Sequence, residues 1–137
     1  MSKKTVFVDT GAWFAIADKS DMYHQPAKDH LRTILDNGDR LVTSNMIIHE
    51  TVMLLTRRLS KDAALRFLDL ICKAENVEVM QNDAAIEREA YDIFRKYAEH
   101  DFSITDCVSF VLMKSHALKR VFAFDKHFRT MRFSVEP

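Results

Sequence analysis

Four carboxylates stand apart by the company they keep: Asp9, Glu50, Asp106 and Asp125. Asp9 closes the apolar run Val6-Phe7-Val8, and Asp125 closes Val121-Phe122-Ala123-Phe124. An Asp between a strand and a helix is often only a helix N-cap. Two of them, on strands that can open into one crevice, favour a shared site beyond the carboxyl ends of a sheet. Asp106 lies in Ser103-Ile104-Thr105-Asp106-Cys107, in the first turn of an apolar helix reaching to about Leu118. Ser103 or Thr105 can cap that helix, and its macrodipole favours an ionised Asp106. Glu50 interrupts the apolar run from Met46 to Leu55. An unpaired charge buried in such a helix costs on the order of several kcal/mol. Arg57 and Arg58 stand about two turns away, out of easy reach, so a cation is the better partner for Glu50.

A carboxylate cluster without a Cys or His partner favours a hard, oxygen-loving ion, Mg²⁺ or Mn²⁺, over Zn²⁺. His49-Glu50 is not a zinc helix motif, because Met53 occupies the second His position. The chemistry such a cluster supports is phosphoryl transfer. Thr10, Ser44, Ser103 and Thr105 can orient ligands or water around it, and each reads equally well as a cap. Lys114, Lys119, Arg120, Lys126, Arg129 and Arg132 make a local basic excess around Asp125. They are placed to hold phosphates, with a solvated face as an equal reading. Arg57, Arg58 and Lys61 form a second basic edge on the same terms. Trp13, Phe14 and Ile16 read as core or dimer packing ahead of base stacking; His24 and His127 can touch substrate, but surface or capping roles are the simpler reading for all six histidines.

The elements that must position these groups follow from periodicity. Apolar β-rich runs recur at Val6 to Val8, Leu41 to Val42, Val77 to Met80, Val121 to Phe124 and, more weakly, Phe133 to Val135. Helical spacing fills the intervals: Asp21 to Asp36 with a start near Pro26, Asn45 to Arg57, a stripe from Ala64 to Cys72 capped by Ser60, and a stripe of Ile86, Ala90, Ile93, Phe94 and Tyr97 started by Asn82 or Asp83. Spacing of four places Asp92 between Arg88 and Lys96 as ion-pair partners. Short buried strands alternating with helices predict one three-layer α/β/α domain over residues 1–137, with a central, mainly parallel sheet.

Composition narrows the field. The chain has 137 residues, 47% hydrophobic and 29% charged, with 20 basic and 20 acidic residues giving zero formal net charge. It is therefore no simple polycation. No apolar run approaches a membrane span, and the basic stretch Met1 to Lys4 lacks the apolar region of a signal peptide. A cytoplasmic protein without membrane contact is expected. Two glycines, Gly11 and Gly38, cannot build a P-loop or dinucleotide-binding turn. Cys72 and Cys107 read as buried free thiols.

Val8-Asp9-Thr10-Gly11-Ala12-Trp13, Glu50 in its helix, Ser103-Ile104-Thr105-Asp106-Cys107-Val108-Ser109-Phe110 and Phe124-Asp125-Lys126-His127-Phe128 together resemble the PIN domain, and within it the VapC-type toxin ribonucleases. The resemblance spans essentially the whole chain. It implies a Mg²⁺- or Mn²⁺-dependent endoribonuclease with Asp9 and Asp106 as core metal ligands, Glu50 completing the site and Asp125 more peripheral. Asp101 stands where some members keep a further acid, although an exposed loop residue is the simpler reading. The resemblance also implies a homodimer and a small protein antitoxin. A PIN nuclease of RNA processing or decay without an antitoxin is the alternative. An aspartate-based phosphatase or receiver domain is a weaker one, lacking its acidic pair beside Asp9.

Overall fold

The computed structural model describes residues 4–137; residues 1–3, most of the basic N-terminal stretch, lie outside the described residues. In chain order the elements are β1 (Thr5–Val8), α1 (Thr10–Ala17), α2 (His24–Asp36), β2 (Arg40–Ser44), α3 (Asn45–Arg58), α4 (Lys61–Lys73), β3 (Val77–Met80), α5 (Ala84–Lys96), α6 (Ile104–Ser115), β4 (Arg120–Phe122), α7 (His127–Thr130) and β5 (Ser134–Glu136). The five strands form one sheet in the order β3-β2-β1-β4-β5, every pairing parallel. Val6, Phe7 and Val8 point alternately to the two sides of β1 and all have zero exposure. Both faces of the sheet are therefore covered, which is why its strands read as unbroken apolar runs.

The strand order fixes where a crevice opens. From β1 the chain steps outward to β2 and β3, then crosses back to place β4 on the other side of β1. The order reverses between β1 and β4, and in parallel sheets the crevice opens at the carboxyl ends of such a pair. Val8 lies beside Phe122 in the register, and Asp9 N–H still bonds Phe122 O at 3.0 Å. Asp9 and the residues after β4 are thereby held at one mouth.

Capping fixes the helices around that mouth. The Ser44, Ser60, Asp83 and Ser103 side chains each accept a backbone N–H from the first turn of the following helix. Ser44, fully buried, is thus a cap for α3. Pro26 sits in the first turn of α2, where a missing N–H costs nothing.

Several expectations change in detail. β4 ends at Phe122, and α6 ends at Ser115 rather than near Leu118. Asp92 pairs with Arg95 at 3.2 Å, the three-residue neighbour, instead of Arg88 or Lys96. Both cysteines are free, but only Cys107 is buried; Cys72 lies on the exposed side of α4. Phe94, placed by periodicity on the inner stripe of α5, is 45% exposed.

Candidate active site

Asp9 occupies the N-cap position of α1 with extended backbone (φ −85°, ψ 164°), yet its side chain makes no capping bond. The carboxylate is instead buried, at 4% exposure, among three others. Burial pushes its pKa well above the usual carboxylate range. Asp125 and Asp106 push it further, Thr10 N–H partly offsets them, and Glu50 adds a smaller repulsion. All three of the other predicted acids are thus close enough to act on Asp9, which makes the quartet one electrostatic unit.

Asp106 lies in the first turn of α6 and forms a reciprocal capping box with Ser103. Its N–H donates to Ser103 Oγ, and its Oδ2 accepts Ser103 N–H, both at 3.0 Å. The same Oδ2 lies 2.8 Å from His127 Nδ1. Burial raises the Asp106 pKa and Asp125 adds to this, while the Ser103 N–H and His127 oppose. Thr105, also named as a capping candidate, is buried beside Asp106, and its carbonyl accepts the Ser109 hydroxyl. Next along, burial and then Asp106 push the Cys107 thiol up to about 11, so that thiol is inert.

Asp125 is exposed and turns back on itself. His127 N–H donates to Asp125 Oδ1 at 2.9 Å, an Asx turn that carries the imidazole toward the cluster. Ligand atoms of Asp106, Asp125 and His127 lie within 4.8 Å of one another. His127, for which a surface or capping role was the simpler reading, is brought into the acidic cluster beside Asp106 and Asp125. Its two-residue spacing from Asp125 was the available signal. The other predicted histidine, His24, bonds Ala15 O through Nδ1 and has a structural role.

Glu50 requires a correction. It is half-buried, because the outer face of α3 at His49, Met53 and Arg57 is exposed, Met53 to 49%. Apolar sequence there does not mean burial. Thr10 Oγ1 donates to Glu50 Oε1 at 2.6 Å, fixing the side chain toward α1. The burial penalty argued for Glu50 falls on Asp9 instead.

These groups line a groove of about 460 Å³ together with Gly11, Phe14, Asp21, Tyr23, Arg58, Asp101, Ser103 and Phe124. Asp101 is exposed on the rim. Arg58 lies over the Phe14 ring at 5.6 Å, the member of the Arg57/Arg58/Lys61 edge that lines this groove. Of the predicted phosphate contacts, Lys126 and Arg129 are exposed on the segment after Asp125. Lys114 lies at the far end of α6, about 12 Å along the axis from Asp106, and lines a different groove with Glu89 and Asp92. Arg120 sits at the opposite end of β4, bonded to Glu136 and Asp39. Trp13 is 3% exposed and bonds Thr43, so it packs and does not stack on bases. A larger groove of about 640 Å³, between α2 and α4, is lined mainly by apolar residues such as Leu31, Leu35 and Leu70 and contains one carboxylate, Asp69. The four acids singled out from the sequence therefore gather in the smaller groove.

The donor set fits a divalent cation. It is rich in carboxylate oxygen, with the His127 imidazole hydrogen-bonded to one of those oxygens, and its buried members repel one another in a way a cation would relieve.

Comparison with known proteins agrees with this geometry. The family model described as the PIN domain matches residues 6–134. The chain belongs to the PIN domain family. Within that family it is 30% identical, over 132 residues, to the 23S rRNA-specific endonuclease VapC20 of Mycobacterium tuberculosis; the match covers 93% of this chain and 95% of the relative. The crystal structure of that protein, described as a toxin that cleaves the sarcin–ricin loop, superposes with a TM-score of 0.85, covering 96% of this chain and 99% of the other. VapBC2 from Rickettsia felis, bound to a promoter DNA fragment, gives a TM-score of 0.70 at 11% identity, covering 96% and 97% of the two chains. FitAcB from Neisseria gonorrhoeae gives 0.64 at 13%, covering 96% of each. At those identities the last two show the fold alone. Membership in the PIN family closes the phosphatase and receiver alternatives.

Proposed function

We propose that this PIN domain protein is a divalent-metal-dependent endoribonuclease that hydrolyses RNA phosphodiester bonds and serves as the toxin of a toxin–antitoxin pair. The observation that carries the chemistry is the electrostatic unit formed by Asp9, Asp106, Asp125 and Glu50 at the reversal point of the sheet. The endoribonuclease and toxin descriptions of the 30% identical relative support the biological reading. We read residues 1–137 as a single nuclease domain.

Asp9 and Asp106 are the core metal ligands, with Glu50 and Asp125 completing the site. Mg²⁺ or Mn²⁺ suits these oxygen donors, and such an ion, when bound, would supply a Lewis acid for the phosphate and would lower the pKa of a bound water. Ser103 and His127 fix the Asp106 carboxylate, and Thr10 fixes Glu50. His127 spends Nδ1 on Asp106, which leaves Nε2 for the phosphate or the leaving oxygen. Arg58, Lys126 and Arg129 are the candidates for flanking phosphates.

Because that relative acts on 23S rRNA, a structured rRNA loop is the first substrate to examine. The full reading is a cytoplasmic homodimer held inactive by a small antitoxin. Inducing the protein in a bacterial host, with and without the short reading frame beside its gene, tests this. Growth arrest that the neighbouring product relieves is expected. Unimpeded growth, with the protein present and folded, would remove the toxin reading, and arrest without relief would leave a nuclease of RNA processing or decay.

A further inference from the structure

The carboxylate groove has an aromatic wall that the metal chemistry does not use. Tyr23, at the N-cap position of α2, and Phe124, directly before Asp125, both line it. Their rings lie parallel, with centroids 4.6 Å apart and planes 12° from each other. Phe124 is backed edge-on by Phe122, which has no exposure, at 6.0 Å and 64°. Tyr23 is braced at its backbone, where its N–H donates to Asp21 Oδ2 at 2.9 Å. The inner ring is thus anchored to the core, while Tyr23 remains 40% exposed. One face of Tyr23 is spent on Phe124, so its free surface is the opposite face and the edges.

A flat, braced and exposed ring beside a phosphodiester-cleaving centre suits a nucleobase, which stacks on it whatever its identity. It also answers a difficulty of this groove. Among the described residues, the walls carry six carboxylates (Asp9, Asp21, Glu50, Asp101, Asp106 and Asp125) and one Lys or Arg, Arg58, so charge attraction alone holds a polyanion poorly. Stacking supplies affinity that needs no charge. We propose that Tyr23, supported by Phe124, is the platform on which an unpaired base adjoining the scissile phosphate stacks. This rests on the nuclease reading above and assigns Tyr23 to substrate positioning, not to bond cleavage.

The test compares wild type with Tyr23→Ala, Tyr23→Leu and Tyr23→Phe on two RNAs, a stem-loop presenting a structured rRNA loop and a short single strand. One set of measurements follows cleavage with Mn²⁺. A second follows binding to RNAs carrying 2-aminopurine at successive positions, in an Asp9→Asn background. Stacking predicts that Ala and Leu each raise KM about tenfold with kcat little changed, while Phe restores KM. It also predicts that Ala and Leu abolish the quenching of 2-aminopurine at one position, and that an abasic site there erases the difference between wild type and Tyr23→Ala. Leu keeps apolar packing on Phe124, and melting curves check that each variant folds. Cleavage with KM and quenching equal in all variants would overturn the platform and leave the nuclease standing, with Tyr23 then a protein-contact residue. Tyr23-dependent quenching without cleavage by wild type would uphold the platform and remove the nuclease. Absence of RNA binding would remove both.

Discussion

At the scale of single residues, the site is a balance between repelling acids and the few donors that hold them. Asp106 is the pivot, taking Ser103 N–H and His127 Nδ1 on one oxygen. Replacing His127 by Ala frees Asp106 to rotate. It should lower RNA cleavage by roughly 10- to 100-fold with a smaller effect on melting temperature, since His127 is half-buried at the groove and outside the apolar core; steady-state rates beside thermal melting check this. The acids themselves were legible in the sequence, because an Asp at a strand end leaves a local signature. His127 was not, because its role depends on an Asx turn and a neighbour on another helix. Glu50 was read for the wrong reason. Its apolar neighbours suggested burial, whereas Met53 and Arg57 face solvent and Thr10 is the actual partner.

At the scale of elements, α6 delivers Asp106 through its capping box. Ser103→Ala removes the side-chain acceptor at the helix start. It should cost about 1 kcal/mol of stability, and it should also lower the cleavage rate, because the capping box orients Asp106, the proposed metal ligand. Urea unfolding and kinetics on one preparation separate the two losses. The position of α6 was readable from Ser103 and the apolar run after it. The positions of Lys114 and Arg120 relative to the groove were not. A one-dimensional basic excess does not show that Lys114 lies at the far end of α6, or that β4 carries Arg120 to its opposite end, where Glu136 and Asp39 hold it. Similarly, no periodicity marks Tyr23, which meets Phe124 only through the fold.

For the whole molecule, the all-parallel sheet and its reversal point were legible from alternating apolar runs and helices, and they set where the acids gather. That gathering makes stability depend on pH with a definite sign. Asp9 and Asp106 titrate higher in the folded chain than the usual carboxylate, so the folded state binds their protons more tightly. Their contribution to stability is complete below about pH 4 and is lost as pH rises through the raised values. Glu136 has the opposite sign: burial would raise its pKa, but bonds from Arg120 and His30 bring it lower, so its contribution fails only in more acidic solution. The metal-free protein should therefore melt at a lower temperature near pH 7 than near pH 5, and Mn²⁺ should raise the melting temperature more at pH 7, where it does not compete with protons. A melting temperature that rises from pH 5 to 7 without metal would count against the buried, mutually repelling pair. The central claim is that these carboxylates hold a metal and cut RNA. Its most direct test is cleavage of RNA by wild type, Asp9→Asn and Asp106→Asn, with Mg²⁺ or Mn²⁺ and with EDTA. The account predicts metal-dependent cleavage by wild type and, for both folded variants, activity below about a hundredth of it; full activity in either variant, or wild-type cleavage unaffected by EDTA, would contradict it.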